Sequence, residues 1–378
     1  NNYEVKVVFT RPNLAFRNEM SQPTFGMSSP TALKKYGTNY GSHPVGTGPF
    51  TFKSFQNGES VTVTRNPAYK WGPTPLGTGP AKLSGITFRI LPDSAAQRNA
   101  LTTNEVQVAG NLTPQDVQTA VSSGMTRTTA SSTGMPYGYL INVDKAPTNE
   151  LAVRQAIEYA VDTKSMLSSL FEDQFDAADS VLTPTTPGYV PDSFSYDPAK
   201  AGQILDQAGW KKGSNGMRSK NGKQLTLTLI NITAFGFDNM STLLQAQLKK
   251  IGMRVSISDQ GFPAVATTYN QSKSNFANWF YYDVDPFTLS TVFECNQVTS
   301  GFNWGHYCDK SVDSAISAAN ATVDDNARVA AYKQIVAKLN DAATFLPVYN
   351  TKTILVTAKV NGIRFDPTGQ PFFTAASR

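Results

Sequence analysis

The chain has 378 residues, 40% of them hydrophobic and 16% charged, a length that exceeds one ordinary core and favours two domains or three. Its net charge of +5 is carried by scattered Lys and Arg, without the clustered basic groove of a nucleic-acid site, so a nucleic-acid partner is set aside. No stretch approaches the ~18–20 apolar residues of a membrane span, and the opening NNYEVKVVFTRP has neither the apolar region nor the cleavage site of a secretory signal; if the protein is exported, its targeting segment is missing here.

In chain order, residues 3–9 (YEVKVVF) alternate at period two and predict a strand stopped by Arg11-Pro12-Asn13. Phe50, Phe52 and Phe55, followed by Val61 and Val63, predict two strands joined at Asn57-Gly58 as a hairpin. Residues 85–93 predict a strand, and the segment after them a helix capped near Asp93 or Ser94. Residues 137–144 read as a strand and 150–171 as helical, with Val153, Ile157, Ala160 and Val161 on one side and a break at Asp162. YDPAKAGQILDQAGW carries Asp197 as N-cap, Pro198 at the first helical position, apolar Ala201, Ile204, Leu205 and Ala208, and Gly209 as terminator. Leu225, Leu227 and Leu229 mark a strand, Leu244, Leu248 and Ile251 a helix stopped by Gly252, and residues 253–258 a second strand, which together make a βαβ unit.

Helices follow around 312–321 and 327–342, the second with Val329, Tyr332, Ile335, Val336 and Leu339 inward, before strands in FLPVYN, TILVTA and GIRFDP. β-rich material at both ends around a middle of α/β units predicts one domain inserted into another, with crossings near 140–144 and 345–350.

Cys295 and Cys308 stand thirteen apart in a polar, Gly-containing segment. That spacing fits neither a zinc site nor a CxxC redox site; it reads as a disulfide formed in an oxidising compartment, with two buried free thiols as the alternative.

The densest chemical signal is NWFYYDVDPF, residues 278–287. In a strand Trp279, Tyr281 and Asp283 point one way and Phe280, Tyr282 and Val284 the other. One face can be core; the other, with Trp279 and Tyr281, either completes the core or offers stacking area to a ligand. Asp283 and Asp285 project from the same side, whereas the catalytic carboxylates of a glycosidase flank the scissile bond from opposite sides, so a hydrolase is set aside. With only His43 and His306, no GxSxG and cysteines that pair with each other, a nucleophilic triad is set aside too. No cluster points to a metal bound by protein ligands, His306 reads as a surface loop residue, and the two GTGP segments lack the Lys-Ser/Thr of a phosphate loop. The reading is of a protein that is not an enzyme and has no cofactor.

PVGTGPF, RNPAYKWG, ITFRILPD with ALTTNEVQVA after it, YLINVD, VRQAIEYAVD, YDPAKAGQILDQAG and FLPVYN occur in this order. Together they resemble the successive signature segments of the extracytoplasmic solute-binding proteins of peptide-type ABC importers, the dipeptide-, oligopeptide- and nickel-binding group. The resemblance implies an α/β, two-lobed periplasmic-binding-protein fold (type II, cluster C-like) with a hinge between lobes and the N-terminal part of the outer lobe missing. The lobes would be residues 1–140 completed by 346–378, and the inserted 141–345. It implies capture of oligopeptides between the hinged lobes and delivery to an ABC permease, in the periplasm or at a cell surface through an absent N-terminal anchor. Oligosaccharide binding and peptide sensing without transport remain alternatives, and a nickel role would need a metal already wrapped in a chelator.

Asp285 falls where dipeptide-binding members have the acidic residue that pairs with the ligand's ammonium, and Tyr282 takes the place of the acid that binders of longer peptides use. Asp283, one residue out of step, is either a ligand group or a turn cap. Tyr137, Tyr139 and Trp304 are further ligand candidates, each with packing as the alternative; Phe262 and Tyr269 are weaker ones. The chain departs from the family pattern at Gln107, where an acidic residue is common, and in lacking ~120 residues at its start; the expectation is a fragment completed either by a second polypeptide or by residues absent from this sequence.

Overall fold

The computed structural model describes residues 4–10, 12–74, 77–172, 174–232 and 238–378. In chain order its α-helices are α1 (Ala15–Glu19), α2 (Pro30–Tyr36), α3 (Ser94–Thr102), α4 (Pro114–Ser122), α5 (Leu151–Ala160) and α6 (Thr163–Phe171). They continue with α7 (Pro198–Gln207), α8 (Asp238–Lys250), α9 (Phe262–Asn270), α10 (Thr288–Phe293), α11 (Lys310–Ala321) and α12 (Asp325–Asp341). The strands of the first part are β1 (Phe50–Gln56), β2 (Ser60–Arg65), β3 (Gly85–Arg89), β4 (Val108–Gly110), β5 (Thr126–Ser131) and β6 (Gly134–Ile141). After them come β7 (Lys211–Lys212), β8 (Arg218–Lys220), β9 (Lys223–Gln224), β10 (Thr226–Ile232), β11 (Arg254–Gln260), β12 (Phe276–Tyr282), β13 (Phe345–Tyr349) and β14 (Lys352–Thr357).

Several helices start where a short polar side chain satisfies an orphan amide. Asp93 accepts from Ala96 N at 2.7 Å to open α3, Asp162 from Ser165 N at 3.0 Å to open α6, and Asp197 from Lys200 N at 2.9 Å to open α7. The Asp162 cap is why the helical stretch from 151 to 171 is two helices. α7 ends before Gly209, whose φ of +87° is the left-handed conformation that closes a helix.

The chain forms two compact units with three crossings between them, at 19/20, 132/133 and 351/352. The later two lie at the outer ends of β6 and β13, because both strands belong along their full length to one sheet; the expected crossings lay further along, at 140–144 and 345–350. The first crossing was not expected. It arises because residues 14–19 bond into the larger unit, through Leu14 N to Asn320 O at 3.1 Å and Asn18 Nδ2 to Asp285 Oδ2 at 2.8 Å, while Ala15 is fully buried. Residues 4–9 form no strand, and Val5 and Val8 are exposed; among the described residues no ladder partner faces them.

The larger unit, residues 4–19 with 133–351, is built on a five-stranded sheet of order β11-β10-β12-β6-β13. β10, β11 and β12 run parallel, and β6 and β13 antiparallel to their neighbours. One face packs Tyr137, Tyr139, Leu227, Leu229 and Phe276 under α5–α8. The other packs Met135, Ile230, Ala277 and Trp279 under α9–α12, giving an α/β/α sandwich of three layers. A disulfide joins Cys295 to Cys308, with Cα atoms 4.6 Å apart. His306 is a correction: its side chain is buried, with Nε2 2.8 Å from Tyr269 O.

In the smaller unit, residues 20–132 with 352–378, the sheet β1-β2-β3 stands apart from the sheet β4-β14-β5. A bulge between Phe52 and Ser54 sets Phe52 opposite Val63 and Phe55 opposite Val61. It brings Phe50, Phe52 and Phe55 to one side although their spacing breaks period two. A small core of Leu101, Ala109, Val117, Ala120 and Val356 holds α3 and α4 on β4 and β14. Gln107 donates to Asn104 O at 3.0 Å, a local contact. No described helix is long and apolar enough to cross a membrane.

Replacing both Cys295 and Cys308 by Ala frees the loop they close in the unfolded chain, and should lower the unfolding free energy by about 3 kcal/mol in denaturant titration. An unchanged midpoint and slope would contradict the structural role given to the bridge.

Candidate functional site

The aromatic segment is β12, in the middle of the larger unit's sheet. Its neighbour β6 carries glycine where the backbones come closest. A Cβ at Gly138 would lie 2.3 Å from Leu346 O, and one at Gly134, which has φ +110°, 2.0 Å from Tyr281 O. The β12–β6 register shifts between Trp279 and Tyr281, so Phe280 is the residue without a paired partner.

Most of β12 is interior on both faces, so along most of the strand the Trp279 face takes the alternative of completing the core. Trp279, 7% exposed, packs edge-on to Trp304 with ring centres 4.7 Å apart, and Trp304 lies 4.7 Å from Tyr269. Trp304 and Tyr269 are thus core residues, and Tyr269 donates its hydroxyl to Ile230 O. On the opposite face Tyr137 and Tyr139 are fully buried in a polar chain. Tyr137 OH donates to Tyr139 OH at 3.4 Å, Tyr139 OH meets Ser241 Oγ at 3.1 Å, and Ser241 Oγ donates to Asn231 Oδ1 at 2.9 Å. Asn278 Nδ2 closes on the same Asn231 oxygen at 2.7 Å. Burial pushes the Tyr137 phenol well up and Tyr139 to about 12, so both stay neutral donors. Both tyrosines take the packing alternative in this structure.

Asp285 is a second correction. It is fully buried, and Arg328 grips it with both nitrogens, Nη1 to Oδ2 at 2.9 Å and Nη2 to Oδ1 at 2.5 Å. Asn18 Nδ2 and Phe287 N donate at 2.8 and 2.9 Å, filling the remaining acceptor positions. A carboxylate so satisfied has no capacity for a ligand's ammonium. Asp283, 2% exposed, takes the other role open to it, as a turn cap: its Oδ1 accepts from Asp285 N at 3.1 Å, and the two aspartates staple DVDP into consecutive Asx turns. Its carboxyl is also hydrogen-bonded to that of Glu19 at the end of α1. Burial, then the Glu19 bond and charge, push Asp283 up to about 9, and burial raises Glu19 as well, so the pair shares a proton at neutral pH.

What remains open is the carboxyl end of β12. Phe280 and Tyr281 are half-buried, Tyr282 is 38% exposed, and Phe302, inside the disulfide loop, is 37% exposed. Phe280 and Tyr282 meet edge to face at 5.2 Å, while Phe302 leans on Trp279 at 5.3 Å and on Tyr281 at 6.4 Å. Phe262, at the start of α9, is 49% exposed and belongs to no ring contact in this group. Ring faces held on strand ends, at the carboxyl edge of parallel strands, can stack on apolar or planar groups.

Phe302, Arg328, Asn18 and Glu19 were not singled out in the sequence. For Arg328 a signal existed, since it stands four residues before Tyr332 on the buried stripe of α12, and a cation there calls for a buried carboxylate. Phe302 follows Gly301 in the loop that had yielded only Trp304.

Residues 1–299 match the family described as bacterial extracellular solute-binding proteins, family 5 Middle. The dipeptide-binding protein of Escherichia coli K12 is 27% identical over 388 aligned positions, covering 99% of this chain and 69% of that protein. The nickel-binding periplasmic protein of the same organism is 28% identical, covering 96% of this chain and 71% of its own length. Among solved structures, the ABC transporter-associated periplasmic binding protein DppA from Helicobacter pylori, in complex with peptide STSA, superposes with a TM-score of 0.77 at 21% identity, covering 97% of this chain and 70% of that one. That likeness shows the shared fold.

Two outcomes follow from the carboxylates. Asp285→Ala strands the Arg328 guanidinium without its partner and should destabilise the protein by about 3–5 kcal/mol in denaturant titration, whereas a loss within ~0.5 kcal/mol would refute the anchor. Because the folded protein holds the Asp283 proton up to about pH 9, the stability this group contributes is fully present below the ordinary carboxylate pKa and is lost as pH rises through that window. Thermal midpoints between pH 5 and pH 9 should therefore fall less in Asp283→Asn than in the parent; parallel curves would contradict the shared proton.

Proposed function

Because the chain belongs to the bacterial extracellular solute-binding proteins of family 5, we propose that it captures short peptides outside the cytoplasm and delivers them to the permease of an ABC importer, leaving the peptide chemically unchanged. The observation that carries this reading is the aromatic end of β12, where Phe280, Tyr281 and Tyr282, with Phe302 beside them, stand partly exposed on an otherwise buried central strand. Tyrosine at such a place combines a stacking face with a hydrogen-bonding tip and loses little rotamer freedom on binding, which suits side chains of varied chemistry. A relative named for dipeptides and a superposing structure solved with a peptide support the same ligand class.

With Asp285 committed to Arg328, the carboxylate expected to read the ligand's amino terminus is withdrawn from the proposal. Nickel as a bare ion is not preferred, since among the described residues no three His, Cys, Asp or Glu side chains gather for a metal. Hinge motion at the crossings 132/133 and 351/352 belongs to the proposal, as the means by which a ligand is held and later released. None of the comparisons supports the second polypeptide expected from the sequence, and the proposal does without one.

Isothermal titration with di-, tri- and tetrapeptides should give saturable one-to-one binding for at least one length, and Tyr282→Ala should weaken it by about 0.5–1.5 kcal/mol with little change in stability. Absence of binding to any peptide, with binding to an oligosaccharide instead, would overturn the peptide reading.

A further inference from the structure

We propose that the larger unit carries a second site, for a phosphate group, where the start of α7 meets β7, β8 and the end of α8. A pocket of about 320 Å³ opens there, and three of its ten lining residues, Lys212, Arg218 and Lys250, are cations while none is a carboxylate. They come from three different elements, so the pocket is a convergence of charge and not a run of basic sequence.

Arg218 is the built part of the site. It is 5% exposed and held rigidly, with Nε donating to Ile251 O at 2.9 Å and Nη1 to Asp206 Oδ1 and Trp210 O, both at 2.7 Å. Its Nη2 forms no hydrogen bond with a described residue and is not sealed from solvent, in a side chain that lines the pocket. Gly202, another lining residue, is what leaves that nitrogen room, because a Cβ there would lie 3.2 Å from Nη2. A glycine inside a helix costs about 1 kcal/mol relative to alanine, so its presence in α7 marks a close approach with a purpose.

The first turn of α7 adds donors on the same side. Pro198 has no amide hydrogen and the Lys200 amide is taken by Asp197, which leaves the Ala199 N–H at the pocket. Lys212 and Lys250 are exposed and form no ion pair with a described residue. Asp206, Asp197 and Asp162, the last bonded through its backbone to the lining Gln247, are nearby carboxylates; the first is engaged by Arg218 and the other two by helix amides. A phosphate group, with two charges and three acceptor oxygens, matches one fixed guanidinium edge, two mobile ammonium groups and a helix start better than a carboxylate does. Two sources share that chemistry: free phosphate or a soluble phosphomonoester, and the phosphomonoester headgroup of phosphatidic acid.

Amide spectra recorded during titration with inorganic phosphate at constant ionic strength should show saturable shifts at Ala199 and Gly202. The double variant Lys212→Gln, Lys250→Gln should weaken that binding by about ten-fold or more, while its phosphate-free thermal midpoint and its peptide binding stay at parent values. Co-sedimentation with vesicles containing phosphatidic acid, whose headgroup is a phosphomonoester, compared with phosphatidylcholine alone, separates the sources. Retention lost in the double variant identifies the lipid headgroup, and saturable phosphate shifts without retention identify free phosphate. The proposal is overturned if neither probe binds, if chloride at equal ionic strength gives the same shifts, or if the double variant binds as the parent does. None of these outcomes depends on whether peptide is the transported ligand.

Discussion

The buried ion pair between Asp285 and Arg328 is the constraint on which the end of the central strand depends. Taking two charges out of water costs several kcal/mol each, and their attraction recovers this only when the geometry is good and the remaining lone pairs are filled. On the carboxylate side both conditions hold, because Arg328 binds through both Nη atoms and Asn18 and Phe287 supply the other donors, while Arg328 Nε stays buried without a partner among the described residues. Three stretches remote in sequence, around residues 18, 285 and 328, are tied to one point. The chain leaving β12 is thereby forced into a fixed turn, and α1 is held to the larger unit.

That fixed turn gives the aromatic rings beyond Trp279 their setting. β12 is locked on one side by glycines that admit close backbone approach and underneath by the Trp279–Trp304–Tyr269 stack. Tyr281 and Tyr282 therefore emerge from a rigid base with Phe302 beside them, and the recognition surface proposed for them would be better defined there than on a free loop. The shared proton of Glu19 and Asp283 fits the same logic. Two ionised carboxylates beside Asp285 would repel one another in a poorly solvated place, and holding one proton between them keeps the turn closed.

Local chemistry was legible in the sequence, and long-range pairing was not. Asp197-Pro198 and Gly209 marked both ends of α7, Asp162 marked a helix break, and the leucines of residues 225–251 marked a βαβ unit, because caps and periodicity act within a few residues. Residues 4–9 have a strand's alternation and form no strand, since alternation says which residues could face a core and not whether a neighbour exists to pair with. The family pattern makes Asp285 a ligand group, and no spacing rule corrects that reading because its partner lies 43 residues away on another element. The same limit hid Tyr137 and Tyr139 in a buried hydrogen-bond chain whose other members come from β10 and α8.

The central claim, that ligand is read by the rings at the carboxyl end of β12 while Asp285 serves only as an anchor, is tested most directly by a crystal structure of the protein with a bound peptide. The account predicts peptide density against Tyr281, Tyr282 or Phe302, with the Asp285–Arg328 pair intact. A peptide whose amino terminus displaces Arg328 from Asp285, or one seated away from these rings, would contradict it.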